Sequence, residues 1–202
     1  MHDLVWIVTA GVGLMALGFV GCSSEKPATS GPATESAGKT EPMPAASPAP
    51  PASLVARTGL VPVGEAAPDF EAKDHQGNLV RLSDLLKTEQ VVLVFYPADF
   101  TSGCTKQLCH VRDDWTEFRK RHATCLGVNP ADVEKHASFV KEHSFPFPIL
   151  NDEASRIAAA YGCKGEKYTN RTVYVIGRDG KVKLGESGMV PHEKMFAALD
   201  SQ

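Results

Sequence analysis

The hydrophobic and polar positions divide the chain into three stretches of different character. From Leu4 to Gly21 no residue is charged, and nearly every position is apolar or small. Residues 23–56 are rich in Pro, Ala and Ser, contain no aromatic residue, and show no sustained periodicity. Residues 57–202 show the alternations that strands and helices produce. We therefore expect a membrane-directed segment over residues 1–22, a disordered linker over 23–56, and one globular domain over 57–202.

The globular stretch alternates predicted strands with predicted helices. Continuous or alternating apolar runs predict strands at 69–73, 78–82, 91–96, 123–128, 147–150, 172–176 and 181–184. Apolar residues spaced by three and four predict helices at 102–121, 131–143, 152–161 and 191–199. This order predicts an α/β fold with a mixed central β-sheet flanked by helices and an N-terminal β-hairpin.

The N-terminal segment predicts membrane attachment in one of two forms. Its apolar run approaches the length of about 20 residues that a spanning helix needs. Alternatively, the sequence Phe19-Val20-Gly21-Cys22 resembles a bacterial lipoprotein box, in which Cys22 becomes the lipidated first residue after signal-peptide cleavage. Either form predicts an extracytoplasmic domain that is anchored to a membrane of the cell envelope.

Composition excludes several classes of protein. The net charge is −3 and aromatic residues make up 7% of the chain, so neither a basic face nor a stacking platform for nucleic acid is expected. The five cysteines are too few for a disulfide-dense scaffold. Because their number is odd, at least one of them has no intramolecular partner.

Cys104 lies where a cysteine becomes reactive. Pro97 ends the predicted strand that precedes it, and Thr101 or Ser102 can cap the helix that follows. Cys104 then falls in the first helical turn, where backbone amides have no helical partner and the helix dipole is positive. Both effects favour the nucleophilic thiolate.

Cys109 follows Cys104 by five residues in the same predicted helix. In an intact helix that spacing gives a rise of about 7.5 Å and side chains about 140° apart. A disulfide requires Cα atoms within about 7 Å and side chains that converge. A bond between the two sulfurs therefore requires the start of the helix to unwind, which indicates a redox cycle with a conformational step.

The pattern Pro97-x-x-x-Thr101-x-x-Cys104 resembles the signature of the peroxiredoxins, thiol peroxidases with a thioredoxin-like fold. The second cysteine five residues later is similar to the Q-type branch, the bacterioferritin-comigratory-protein group. The resemblance extends over most of residues 60–200. It includes the run Asn170–Ile176, which contains Arg171.

The resemblance implies a role for each of five residues. Cys104 would be the peroxidatic nucleophile, and Cys109 the resolving cysteine of an intramolecular disulfide. Arg171 would stabilise the thiolate and hold the peroxide oxygens, Thr101 would orient the peroxide, and Pro97 would shield the site from water. The expected partners are a hydroperoxide substrate and a thioredoxin-like reductant, with the protein a monomer or a dimer. No metal, flavin or haem is implied.

Five further residues remain to be placed within this scheme. Many relatives carry Glu three residues after the peroxidatic cysteine, whereas this chain has Gln107. Cys163 follows a predicted helix end and is a second candidate resolving thiol. Cys125 is expected to be buried and inert. His136 and His143 are expected on the solvated face of their helix.

Two other functions are open at this stage. One is a disulfide oxidoreductase of the thioredoxin class that acts on proteins, although the usual pair of cysteines separated by two residues is absent here. The other is a copper-binding envelope lipoprotein without catalytic activity, for which His110 beside Cys109 is a weak indication.

Overall fold

The structure is a computed structural model and describes residues 54–201. The predicted membrane-directed segment, Cys22, and all but the last residues of the predicted linker lie outside this part. Seven strands are present in it: β1 (Glu71–Lys73), β2 (Leu79–Arg81), β3 (Gln90–Phe95), β4 (Ala123–Asn129), β5 (Ile149–Asn151), β6 (Thr172–Ile176) and β7 (Val182–Ser187). Six α-helices accompany them: α1 (Leu82–Leu85), α2 (Ser102–Asp113), α3 (Trp115–Lys120), α4 (Val133–His143), α5 (Arg156–Ala160) and α6 (His192–Asp200).

Five strands form one mixed sheet in the order β5-β4-β3-β6-β7. β3, β4 and β5 are parallel, whereas β6 is antiparallel to both β3 and β7. β1 and β2 form the predicted antiparallel hairpin outside this sheet. The predicted α/β architecture with a mixed central sheet is therefore what the described residues form.

The central strand β3 separates two hydrophobic cores. Alternate residues of a strand point to opposite faces of the sheet, and both faces of β3 are buried. Val91, Leu93 and Phe95 pack in a core with residues of α1 and α5. Val92 and Val94 pack in the other core with residues of α2, α3, α4 and α6. Helices on both faces explain why β3 is a continuous apolar run rather than an alternating one.

The helix predicted over residues 102–121 is two helices. α2 ends at Asp113, α3 begins at Trp115, and Asp114 between them has φ −97° and ψ 12°. The Asp114 carboxylate is 2.5 Å from Nδ1 of His192 at the start of α6. This tertiary contact accompanies the break, which no Pro or Gly in the local sequence signals.

The C-terminus of α5 is closed by Gly162. Gly162 has φ +70°, its amide donates to the carbonyl of Ala159 at 3.2 Å, and the Cys163 amide donates to that of Ala158 at 2.7 Å. These two bonds form a Schellman motif. A Cβ at Gly162 would lie 1.9 Å from the carbonyl oxygen of Gly59. Only glycine therefore fits against the segment that contains Gly59.

Substitution of Gly162 tests this close approach. We expect Gly162→Ala to lower the free energy of unfolding by about 3 kcal/mol or more, because left-handed strain is added to a backbone clash. Gly180→Ala is the matched control, since Gly180 has φ +78° with open space around its Cα. It should cost about 1 kcal/mol in urea denaturation. Equal losses for the two variants would show that the contact with Gly59 contributes nothing.

Candidate active site

The candidate site is built where β3 ends and α2 begins. The loop Pro97–Thr101 joins them, with Pro97 half-buried and Thr101 as the N-terminal cap of α2. Cys104 is the third residue of α2, and 1% of its surface is exposed. Its position in the first helical turn is the predicted one, among amides that have no partner within the helix.

Sheet register brings Arg171 to the same place. Thr172 in β6 pairs with Phe95 in β3, and the two strands run in opposite directions. The residue before Thr172 therefore lies beside the residue after Phe95, where the loop to α2 starts. This pairing places Arg171 next to Cys104, although 67 residues separate them in the sequence.

The Arg171 guanidinium links the cysteine to Gln107. Nη2 of Arg171 is 3.3 Å from Sγ of Cys104, and Nη1 donates a hydrogen bond to Oε1 of Gln107 one helical turn further along α2. Gln107 is buried, and its Nε2 has no hydrogen-bond partner. Because Gln107 is neutral, it orients the guanidinium without neutralising the positive charge that faces the sulfur.

The Thr101 hydroxyl does not cap α2. It donates to the carbonyl of Ala98 at 3.2 Å, while the carbonyl of Thr101 accepts the first helical bond from Thr105. Of the two predicted cap residues, Thr101 and Ser102, Thr101 occupies the cap position, but its side chain makes no bond to an amide of the helix. The hydroxyl oxygen retains lone pairs that can accept a hydrogen bond from a ligand.

Cys104 and Cys109 are both free thiols in this structure. α2 is continuous from Ser102 to Asp113, so it is intact between them. Cys109 is partly buried and packs against the core on its side of the sheet. The intact helix that the spacing argument assumes is therefore present, and in such a helix these two side chains point about 140° apart.

The remaining described cysteines are buried. Cys125 lies in β4, and burial raises the pKa of its thiol well above the ordinary value. Cys163 has no exposed surface, and burial raises the pKa of its thiol to about 11. The prediction for Cys125 agrees with this placement. Cys163 is enclosed rather than exposed, so its burial does not favour a resolving role.

A buried polar cluster behind the loop was not predicted. The Asp99 carboxylate lies within hydrogen-bond distance of Tyr96, Asn129 and His136. The expectation of a solvated His136 is wrong, because this side chain has no exposed surface. Its spacing of three residues from Phe139 on α4 places both on one face, and this pattern could have indicated burial.

Metal ligands do not converge in residues 54–201. No group of three or more His, Cys, Asp or Glu side chains there has a geometry that could hold a metal ion. Nothing in this part of the chain therefore favours the copper-binding alternative. Among the described residues, the candidate reactive group is the Cys104 thiol beside Arg171.

Comparison with known proteins points to one family. The model of the AhpC/TSA family matches residues 63–184. The chain is 36% identical over 139 residues to a chloroplastic peroxiredoxin Q of Oryza sativa subsp. japonica, covering 67% of this chain and 64% of that protein. It is 37% identical over 134 residues to the chloroplastic peroxiredoxin Q of Arabidopsis thaliana, covering 65% and 62%. The match thus spans less than two thirds of these relatives.

Solved structures agree with this result. Peroxidoxin BcpB from Mycobacterium tuberculosis has a TM-score of 0.64 and 38% identity, covering 68% of this chain and 95% of that chain. A cysteine mutant of PrxQ from Xylella fastidiosa has a TM-score of 0.65 and 23% identity, covering 70% and 96%, and supports the fold alone. The predicted thioredoxin-like fold is confirmed.

The predicted cell-envelope location is wrong. The curated relatives that match the chain are chloroplastic proteins, whereas the sequence led us to expect a membrane-anchored envelope lipoprotein. The expectation depended on residues 1–22 alone, and that segment lies outside the residues that the family model matches. Among the helices of residues 54–201, none combines the length and hydropathy that crossing a membrane requires.

Outside the candidate site at Cys104, burial and a raised pKa predict which of the described thiols react in the folded protein. With iodoacetamide near neutral pH, Cys109 should be labelled, whereas Cys125 and Cys163 should stay unlabelled because their raised pKa values keep them protonated and the core encloses them. Peptide mass mapping measures each site. Labelling in urea is the control and should modify all of them. Equal labelling of Cys163 and Cys109 in the native protein would contradict this placement.

The neutral character of Gln107 can be tested by Gln107→Glu in a Cys109→Ser background. A carboxylate would neutralise part of the guanidinium charge at the sulfur, so we expect Cys104 to react about threefold more slowly with iodoacetamide near neutral pH. Thr116→Glu is the matched control, since it adds the same charge on the exposed surface of α3. An unchanged rate in Gln107→Glu would show that the guanidinium charge does not act on the sulfur.

Proposed function

The chain belongs to the AhpC/TSA family, the peroxiredoxins, and on that premise we propose that it is a thiol peroxidase that reduces hydrogen peroxide and organic hydroperoxides. The single observation that carries the proposal is the 3.3 Å contact between Sγ of Cys104 and Nη2 of Arg171 at the start of α2. A fixed cation and unpaired helix amides next to one sulfur favour the thiolate form that attacks a peroxide.

In the first step, the Cys104 thiolate attacks one peroxide oxygen. An S–O bond forms, the O–O bond breaks, and the sulfur becomes a sulfenic acid. The leaving hydroxide or alkoxide takes a proton from solvent. Arg171 stabilises the negative charge that develops on this leaving oxygen, and the Thr101 oxygen accepts a hydrogen bond from the peroxide hydroxyl.

In the second step, Cys109 resolves the sulfenic acid. Its thiol attacks the Cys104 sulfur, the S–S bond forms, the S–O bond breaks, and water leaves. α2 must unwind over its first turns for this step, because the intact helix holds the sulfurs apart. We therefore assign the chain to the atypical 2-Cys type, in which the disulfide is intramolecular.

The third step returns both cysteines to thiols. A dithiol reductant attacks the Cys104–Cys109 disulfide, forms a mixed disulfide, and leaves as its own disulfide after a second exchange. A thioredoxin-like protein supplies this chemistry. Cys109 is the more exposed of the two described thiols in α2, so it offers the more accessible sulfur for the exchange.

Intact mass after one equivalent of hydrogen peroxide tests the cycle. The wild-type chain should lose two hydrogens, and peptide mapping should find a Cys104–Cys109 bond. Cys109→Ser should gain oxygen at Cys104 instead, because no thiol resolves the sulfenic acid. Cys104→Ser should keep its mass and lose at least about a thousandfold in peroxide consumption, as expected when the nucleophile is removed.

Cys163→Ser is the control variant. It removes another buried thiol and should retain both peroxide consumption and the Cys104–Cys109 bond. Full peroxidase activity in Cys104→Ser would refute the proposed function. Loss of the disulfide in Cys163→Ser but not in Cys109→Ser would refute the assigned resolving residue.

A further inference from the structure

Four buried polar side chains meet directly behind the active-site loop. One oxygen of Asp99 accepts hydrogen bonds from the Tyr96 hydroxyl and from Nδ2 of Asn129, both at 2.7 Å. The other oxygen is 2.8 Å from Nδ1 of His136. Asp99 is 4% exposed and His136 is fully enclosed. The carboxylate thus joins the loop to the ends of β3 and β4 and to α4.

Packing of the hydrophobic core does not require this polar cluster. A buried carboxylate with three partners carries a desolvation cost that packed apolar side chains would avoid, so such clusters specify geometry more than they add stability. Burial alone would raise the pKa of Asp99, but its interactions with His136, Tyr96 and Asn129 hold that pKa below its ordinary value. Nε2 of His136 has no partner, which leaves Nδ1 as its one polar contact.

The next residue of the loop is also held by α4. Phe100 has φ +61°, a left-handed conformation that is strained for a side chain with a Cβ. Its ring lies 4.9 Å from that of Phe139, which follows His136 by three residues on α4. Strained backbone persists where neighbouring contacts determine it, and here two successive loop residues contact one helix.

α4 also holds the far end of α2. Nη1 of Arg112 donates to the carbonyl of His143 at 2.9 Å. One helix therefore contacts the chain before Thr101 and again near the end of α2. The segment that must unwind for a Cys104–Cys109 disulfide lies between these two attachments.

We infer that His136, acting through Asp99, is a positioning residue that fixes the active-site loop so that Thr101 and Cys104 face the peroxide, and that keeps the loop in place while α2 opens. His136 touches neither sulfur nor substrate. It acts on the Asp99 carboxylate, which fixes Phe100 and hence the entry of the chain into α2. The inference rests on the proposed peroxidase function.

The test compares His136→Leu and His136→Asn in a Cys109→Ser background. Leucine removes the donor to Asp99, whereas asparagine keeps an N–H donor at Nδ2, the same number of bonds from the backbone as Nδ1 of histidine. We expect His136→Leu to lower the second-order rate constant for Cys104 oxidation by hydrogen peroxide about tenfold or more, because small displacements of reacting groups have large effects on rate. His136→Asn should recover much of this loss. Quenched-flow mixing, followed by chemical trapping of the sulfenic acid, measures the rates.

Amide hydrogen exchange provides a readout that does not depend on activity. Residues 97–105 should exchange at least about tenfold faster in His136→Leu than in the parent, since their anchor is removed. Asp152→Asn is the matched control for lost stability. Asp152 is equally buried and caps α5 by accepting from the amides of Ile157 and Ala158 at 2.8 Å. It should destabilise the fold without changing Cys104 oxidation or exchange in residues 97–105.

Parent rates and parent exchange in both His136 variants would overturn the inference. So would a loss of rate in Asp152→Asn equal to that in His136→Leu, since general instability would then explain both. If the parent itself fails to react with peroxide, the proposed function is wrong. The exchange comparison still decides whether His136 fixes the loop.

Discussion

The contact between the Arg171 guanidinium and the Cys104 sulfur is the interaction on which the site depends. It requires three independent features of the fold: β3 must end at the loop, α2 must begin with the cysteine in its first turn, and β6 must run antiparallel to β3 in the observed register. A shift of that register by one residue would turn Arg171 to the other face of the sheet. The central strand pair therefore fixes the chemistry as well as the core.

A second constraint follows from placing both thiols in one helix. The intact α2 favours the state in which Cys104 faces Arg171, whereas a Cys104–Cys109 bond requires its first turns to open. The two states compete for the same residues. In the proposed cycle, the stability of this segment is limited by the need to open, and the contacts of Asp99 and Arg112 with α4 lie on either side of it.

Much of the fold could be predicted from the sequence because its signals are local. The apolar run of β3, the helical spacing in α2 and the glycine at 162 each indicate structure through their own neighbours. The break at Asp114 could not be found this way, since its carboxylate bonds to His192, which is 78 residues away. The predicted start of β5 is two residues earlier than the observed one for the same reason, because pairing with β4 sets the boundary of this strand.

The site was predictable to a similar extent. The positions of Cys104, Thr101 and Pro97 follow from a strand end and a helix start, which are local features. The proximity of Arg171 was expected from the family resemblance, and the register supplies its physical basis. The enclosure of Asp99 was missed because a loop residue gives no periodic signal, whereas that of His136 could have been inferred from its spacing to Phe139 on α4. Only their partners on other elements make that cluster visible.

The break between α2 and α3 has a consequence for how the two helices share one core. Asp114 joins them, since its amide donates to the carbonyl of His110 in α2 and its carbonyl accepts from the amides of Glu117 and Phe118 in α3. Trp115, the first residue of α3, lies near Phe147 with ring centroids 5.9 Å apart, and α3 packs on β4. Because both helices line the same core, Asp114 acts as a bend that lets α3 follow β4 while α2 holds Cys104 at the end of β3.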